Sequence, residues 1–86
     1  MSQLSSQSLL PQLLEARNNE VAEYQLNIDN FKRAIEKIDT QYAENQDMLD
    51  FKEQLIKLLA DNQREQLKSI IMRDVIADQL AELEES

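Results

Sequence analysis

Glycine, cysteine and histidine are absent from this chain of 86 residues, and proline occurs once, at Pro11. Without cysteine there is neither a disulfide framework nor a zinc ribbon, and the chain is indifferent to redox compartment. The strongest nucleophile at neutral pH is missing for the same reason. Without histidine the commonest general base and the commonest metal ligand are both gone. The di-iron pattern of helical bundles requires Glu-x-x-His, while a calcium loop and a phosphate-cradling loop each require a glycine turn, so none of the three can occur here. The few Ser and Thr residues have no base to activate them. The chain is expected to be no enzyme and to carry neither cofactor nor metal.

Long apolar runs are also lacking. The longest are two or three residues, such as Ile70 to Met72, against the roughly 20 needed to span a bilayer. Met1 to Ser8 carries no positive charge and no apolar core, so it does not read as a secretory signal. A soluble, cytoplasmic protein without membrane contact is the expectation. Positive charge is scarce: nine basic residues against seventeen acidic ones leave a formal net charge of -8. An excess of that sign repels phosphate backbones and anionic lipid surfaces, so direct nucleic-acid binding is not expected.

What is present favours helix. Gln, Glu, Leu, Ala and Lys are abundant, and β-rich folds depend on turns that a glycine-free chain can hardly make. The expected class is all-α. Residues 1–8, rich in Ser and Gln, read as a flexible lead-in to a single all-helical domain over 9–86. Ser8 can cap a helix beginning near Leu9, with Pro11 tolerated in its first turn. Val21, Tyr24, Ile28, Phe31, Ile35, Ile38 and Tyr42 then fall at alternating steps of three and four, which makes one narrow apolar seam on a helix. The polar patch Glu15, Arg17, Asn18, Asn19 and Glu20 interrupts it and marks a candidate break near 18–19. Leu14 and Val21 lie seven apart, however, and that spacing lets the helix run on in phase.

The seam's phase then fails, because it would place Asn45 and Lys52 in the core. Met48, Leu49, Phe51, Leu55, Ile56, Leu58 and Leu59 define a wider face rotated from the first. The change of phase predicts a turn at 44–47, with Asp47 or Asp50 capping the second arm and Glu53 completing a capping box. The helical material divides into arms of about residues 9–44 and 47–84, each about 55 Å long at roughly 1.5 Å per residue. Matched arms predict a long antiparallel helical hairpin, whose rivals are one uninterrupted helix and a monomeric three-helix bundle.

Six polar residues, Asp61 to Gln66, mark a second candidate break near 61–66. Beyond them Leu67, Ile70, Ile71, Met72, Val75, Ile76, Leu80 and Leu83 spread around most of the helix. A helix apolar on more than one side needs more than one neighbour, which predicts association of the hairpin into a helical bundle, as a homodimer or higher oligomer. Leu67, Ile71, Met72, Val75, Ile76, Leu80 and Leu83 are therefore the candidate contact residues for a second copy or another protein. Leu26, on the far side of the first arm's seam, is a further exposed apolar candidate.

Two charged features complete the set. Asp74, Asp78 and Glu82 recur every fourth residue, followed by Glu84 and Glu85, with no basic residue after Arg73. This face can imitate a row of phosphates or simply keep an oligomer dissolved. Lys32, Arg33 and Lys37 lie on the outer face of the first arm, with Asp29 and Glu36 placed to pair with them. The function class left is a small acidic interaction module, a chaperone, adaptor or inhibitor of a larger machine, acting through an apolar helical surface. The analogy of size and charge is to small proteins of secretion systems and phages. The alternatives are a nucleic-acid mimic using the acidic face and an oligomer that sequesters a small ligand.

Overall fold

A computed structural model describes the backbone of residues 2–85 and the side chains of residues 9–85. It is an all-α antiparallel hairpin of two helices, α1 (Ser2–Gln41) and α2 (Gln46–Glu85), each 40 residues long. Both helices run unbroken through 18–19 and 61–66, so the polar intervals there are not breaks. Helix α1 begins at Ser2, ahead of the expected start near Leu9. Pro11 therefore sits inside the helix, where its missing N–H and its ring weaken the preceding turn. The lead-in expected over 1–8 lies outside the residues with described side chains.

The reversal comes two residues earlier than expected, at Tyr42 to Asn45. It uses no left-handed residue, which is how a chain without glycine makes it. The Asn45 amide donates to the Tyr42 carbonyl at 3.0 Å and so tightens the turn. Asn45 then caps α2: its Oδ1 accepts the Met48 amide at 3.1 Å, and its carbonyl accepts the Leu49 amide at 2.9 Å. Asn45 thus takes the capping role expected of Asp47 or Asp50. Asp47 lies in the first turn of α2, where its negative charge favours the helix N-terminus. At the end of α1, Thr40 Oγ1 donates back to the carbonyls of Glu36 (3.0 Å) and Lys37 (3.2 Å), and the Tyr42 amide donates to the Ile38 carbonyl at 2.8 Å.

The α2 positions facing α1 are Met48, Lys52, Leu55, Leu59, Asn62, Gln66, Ser69, Arg73, Ile76 and Leu80, again at steps of three and four. Lys52 thus lies on the seam after all, half-buried, with its ammonium on Asp39 across the hairpin. Phe51, Ile56 and Leu58, expected to belong to the packed face, are exposed on the flanks. From α1, Ile28 and Ile38 are buried, Val21, Tyr24, Phe31 and Ile35 are half-buried, and Tyr42 at the turn is largely exposed. The buried apolar side chains among the described residues are Ile28, Ile38, Leu55 and Ile76, and none of them is fully enclosed.

The molecule measures 63 × 20 × 14 Å. Its thickness is little more than one helix, so both broad faces of the hairpin are open. Its surface of 6594 Å² exceeds the roughly 5,200 Å² expected of a compact monomer of this mass.

Candidate functional site

The site is built from what the hairpin turns inward and what it leaves outside. Inside, the middle of α2 presents polar side chains to α1. Ser69, itself buried, donates from Oγ to Glu20 Oε2 at 2.9 Å, and Arg17 Nη1 donates to the same carboxylate at 3.2 and 3.0 Å. Gln66 Nε2 donates to the Val21 carbonyl at 3.2 Å and to Gln25 Oε1 at 2.9 Å. Asn27 Nδ2 reaches Asn62 Oδ1 at 3.5 Å, while Asn62 Nδ2 donates to the Leu58 carbonyl at 2.8 Å. Among the described residues no buried side-chain polar atom lacks a partner. The polar intervals of the two arms, legible only as interruptions, thus belong to one ladder of hydrogen bonds that fixes the register.

The Glu20 carboxyl is held below its ordinary value, first by the Ser69 hydrogen bond and then by Arg17, against a smaller opposing effect of burial. A group with a lowered folded pKa stabilises the fold above its unfolded pKa and loses that contribution as the pH falls through the folded one. The urea midpoint of the wild type should therefore exceed that of Glu20→Gln most clearly at neutral pH. The gap should close on acidification below the usual glutamate range. A gap that stays constant from neutral to acid pH would refute the assignment.

Outside lie the apolar side chains that the hairpin does not use. Of the expected contact residues, Leu67 (59% exposed) and Ile71 (60%) point away from α1, and Met72 and Val75 are exposed beside them. Ile76 is buried and Leu80 half-buried against α1, so these two belong to the hairpin's own core. Leu83 is exposed near the open end, and Leu26 projects from the outer side of α1. Sequence reasoning missed Leu9 and Leu13, which are exposed toward the open end of the hairpin, and the exposure of Phe51 and Leu58. The signal was present as seven-residue spacing: Phe51, Leu58 and Met72 share a helix face displaced from the seam. At the turn, Ala34, Lys37, Ile38, Tyr42, Met48 and Phe51 line a shallow, largely apolar groove of about 240 Å³.

Asp74, Asp78, Glu82, Glu84 and Glu85 are all exposed, and of these Asp74 accepts a hydrogen bond from Arg73 Nε at 3.2 Å. Before Arg17 and after Arg73 the chain carries six acidic side chains and no basic one, so the charged side chains of the open end are all negative. The ion pairs expected of Lys32 and Arg33 with Glu36 and Asp29 do not form among the described residues. Asp29 instead accepts from Gln25 Nε2 at 3.0 Å, and the pairs that form are Arg17–Glu20, Lys52–Asp39, Arg64–Asp61, Lys68–Glu65 and Arg73–Asp74. Among the described residues there is no cluster of carboxylates able to hold a metal ion, and no helix long and apolar enough to cross a membrane.

The class these features define is an all-α helical hairpin whose inner seam is apolar toward its ends and polar at its middle, with open apolar flanks. No protein family matches the chain, and neither a curated protein nor a solved structure is significantly similar to it.

Proposed function

We propose that this protein is a small, acidic, non-catalytic interaction module that binds another protein through the apolar outer surface of α2 and also associates with itself. The observation that carries the reading is an inversion. The middle of α2 turns Asn62, Gln66 and Ser69 toward α1, while Leu67, Ile71, Met72 and Val75 stand in water. Burial of large aliphatic side chains is the main driving force of folding and of association, so apolar surface withheld from the fold is surface available for a partner. An adaptor, chaperone or inhibitor needs such a surface and no chemistry of its own.

A second reading, mimicry of a nucleic acid, is favoured by the open end with its six acidic side chains and no basic one. Capture from the native host's extract with the full chain as bait separates the two. Leu67→Glu with Ile71→Glu should abolish capture of the specific partner, whereas Asp74→Asn, Asp78→Asn and Glu82→Gln together should leave it largely intact. The reverse pattern would overturn the apolar reading in favour of mimicry. Sequestration of a small ligand in the groove at the turn would instead raise the melting temperature with no protein partner present.

A further inference from the structure

We infer that one broad face of the hairpin binds a second copy of the same chain in antiparallel fashion, with the turn of one copy over the open end of the other. This rests on the reading of the exposed apolar side chains as contact surfaces, and it names the occupant of one of them. Heptad spacing puts Leu9, Leu13, Phe51, Leu58, Met72 and Val75 on the same broad face as the groove at the turn. All six are among the exposed large apolar side chains, whereas Ile56 and Leu67 are the ones spaced for the opposite face. A face of 63 by 20 Å, fully overlapped, covers on the order of 1,200 Å² per copy. That clears the roughly 800 Å² per partner of a stable interface.

The positions along the rod are self-complementary under end-for-end inversion. At about 1.5 Å per residue Leu58 sits ~20 Å from the turn, Met72 ~40 Å and Val75 ~45 Å. Inverting a second copy along the 63 Å length therefore lays its Met72 and Val75 over Leu58, and the two-fold axis supplies the reverse contact. Near mid-length Glu65 and Lys68, paired within one copy at 2.9 Å, each fall opposite the other's counterpart in the second copy. Leu9 falls beside Ala34 on the margin of the groove rimmed by Lys37, whose ammonium has no ion-pair partner among the described residues.

Charge selects this orientation. The parallel stack would superpose two open ends that each hold six side-chain carboxylates and no basic side chain, whereas the inverted stack sets each of them against the turn region, residues 29–57, where five cations among seven carboxylates leave a net charge of only -2 and the repulsion is weaker.

Light scattering of the full chain at micromolar concentration should give twice the 10.0 kDa chain mass. Because the chain has no native cysteine, introduced thiols report contacts cleanly. Leu58→Cys and Val75→Cys chains, mixed and oxidised, should form the mixed disulfide, while each alone should stay unlinked because its two thiols lie too far apart to join. Phe51→Glu with Leu58→Glu should weaken self-association at least about 100-fold while leaving the helical dichroism of the hairpin in place, since charges buried at an interface without partners oppose it. A monomeric mass overturns the inference, and so does a disulfide that forms within the Leu58→Cys chains alone. The partner-docking reading is tested separately, because Leu67→Glu with Ile71→Glu should leave the dimer mass unchanged. A monomeric wild type whose partner capture is still abolished by that pair would remove the dimer and leave the docking reading intact.

Discussion

Ile28→Ala should cost about 2–4 kcal/mol and deprive the chain of much of its helix at 37 °C, read as the loss of far-ultraviolet dichroism at fixed protein concentration. Ile28 is 3% exposed, and the other buried apolar side chains among the described residues, spread along the seam, are Ile38, Leu55 and Ile76. A single thin core of this kind supplies roughly 3–5 kcal/mol of net stability, so one truncation within it removes most of the margin. Leu26→Ala, two residues away but 61% exposed, should change stability by less than about 0.5 kcal/mol. Equal effects at the two positions would mean that the core does not lie between α1 and α2 along the seam described.

The second large effect runs in the opposite direction. Asn62→Leu combined with Gln66→Leu should raise stability by roughly 1–3 kcal/mol, because two seam positions would then bury apolar surface against α1. Of the groups that lose a partner, the side chains of Asn27 and Gln25 are exposed and can turn to water, and the carbonyls of Val21 and Leu58 keep their bonds within the helices. The same variant should lose selectivity of pairing. Asn62, Gln66 and Ser69 hold the register through side-chain hydrogen bonds to Asn27, Gln25 and Glu20, and an all-apolar seam accepts slipped and intermolecular alternatives more readily. The expected readout is a higher urea midpoint together with a broader distribution of masses in solution. A loss of stability of about 1 kcal/mol or more, the net worth of one hydrogen bond, would show instead that the polar ladder stabilises the hairpin outright.

The same contrast between core and flank explains why the two arms are unequally legible. The first arm's seam from Val21 to Ile38 is visible because one helix face holds nearly all of its large apolar residues, and period alone then identifies the buried side. The second arm has Phe51, Leu55, Ile56, Leu58, Leu67, Ile71, Met72, Val75 and Ile76 spread around its circumference, so local amphipathicity selects no face. Of the contact residues read from the sequence, Leu67, Ile71, Met72 and Val75 are exposed, while Ile76 and Leu80 turn inward. Reading all of them as one surface fails because two phases are superposed there: the seam that faces α1 and the stripe left over. The turn itself lies within two residues of its expected place, and Asn45 escapes notice as the cap because neighbouring aspartates carry the same preference.

The sequence by itself determined the helical class, the lack of histidine and cysteine and the run of acidic residues after Arg73, since each follows from composition or from spacing within a single arm; it offered the hairpin beside one uninterrupted helix and a three-helix bundle. Only the tertiary structure decided which side of α2 is inside and which apolar residues remain outside. That choice depends on Gln66 meeting Val21 and Ser69 meeting Glu20, groups 45 and 49 residues apart along the chain. No pattern local to one helix contains the energy of such contacts, because a polar side chain is costly or acceptable in the seam according to what stands across from it.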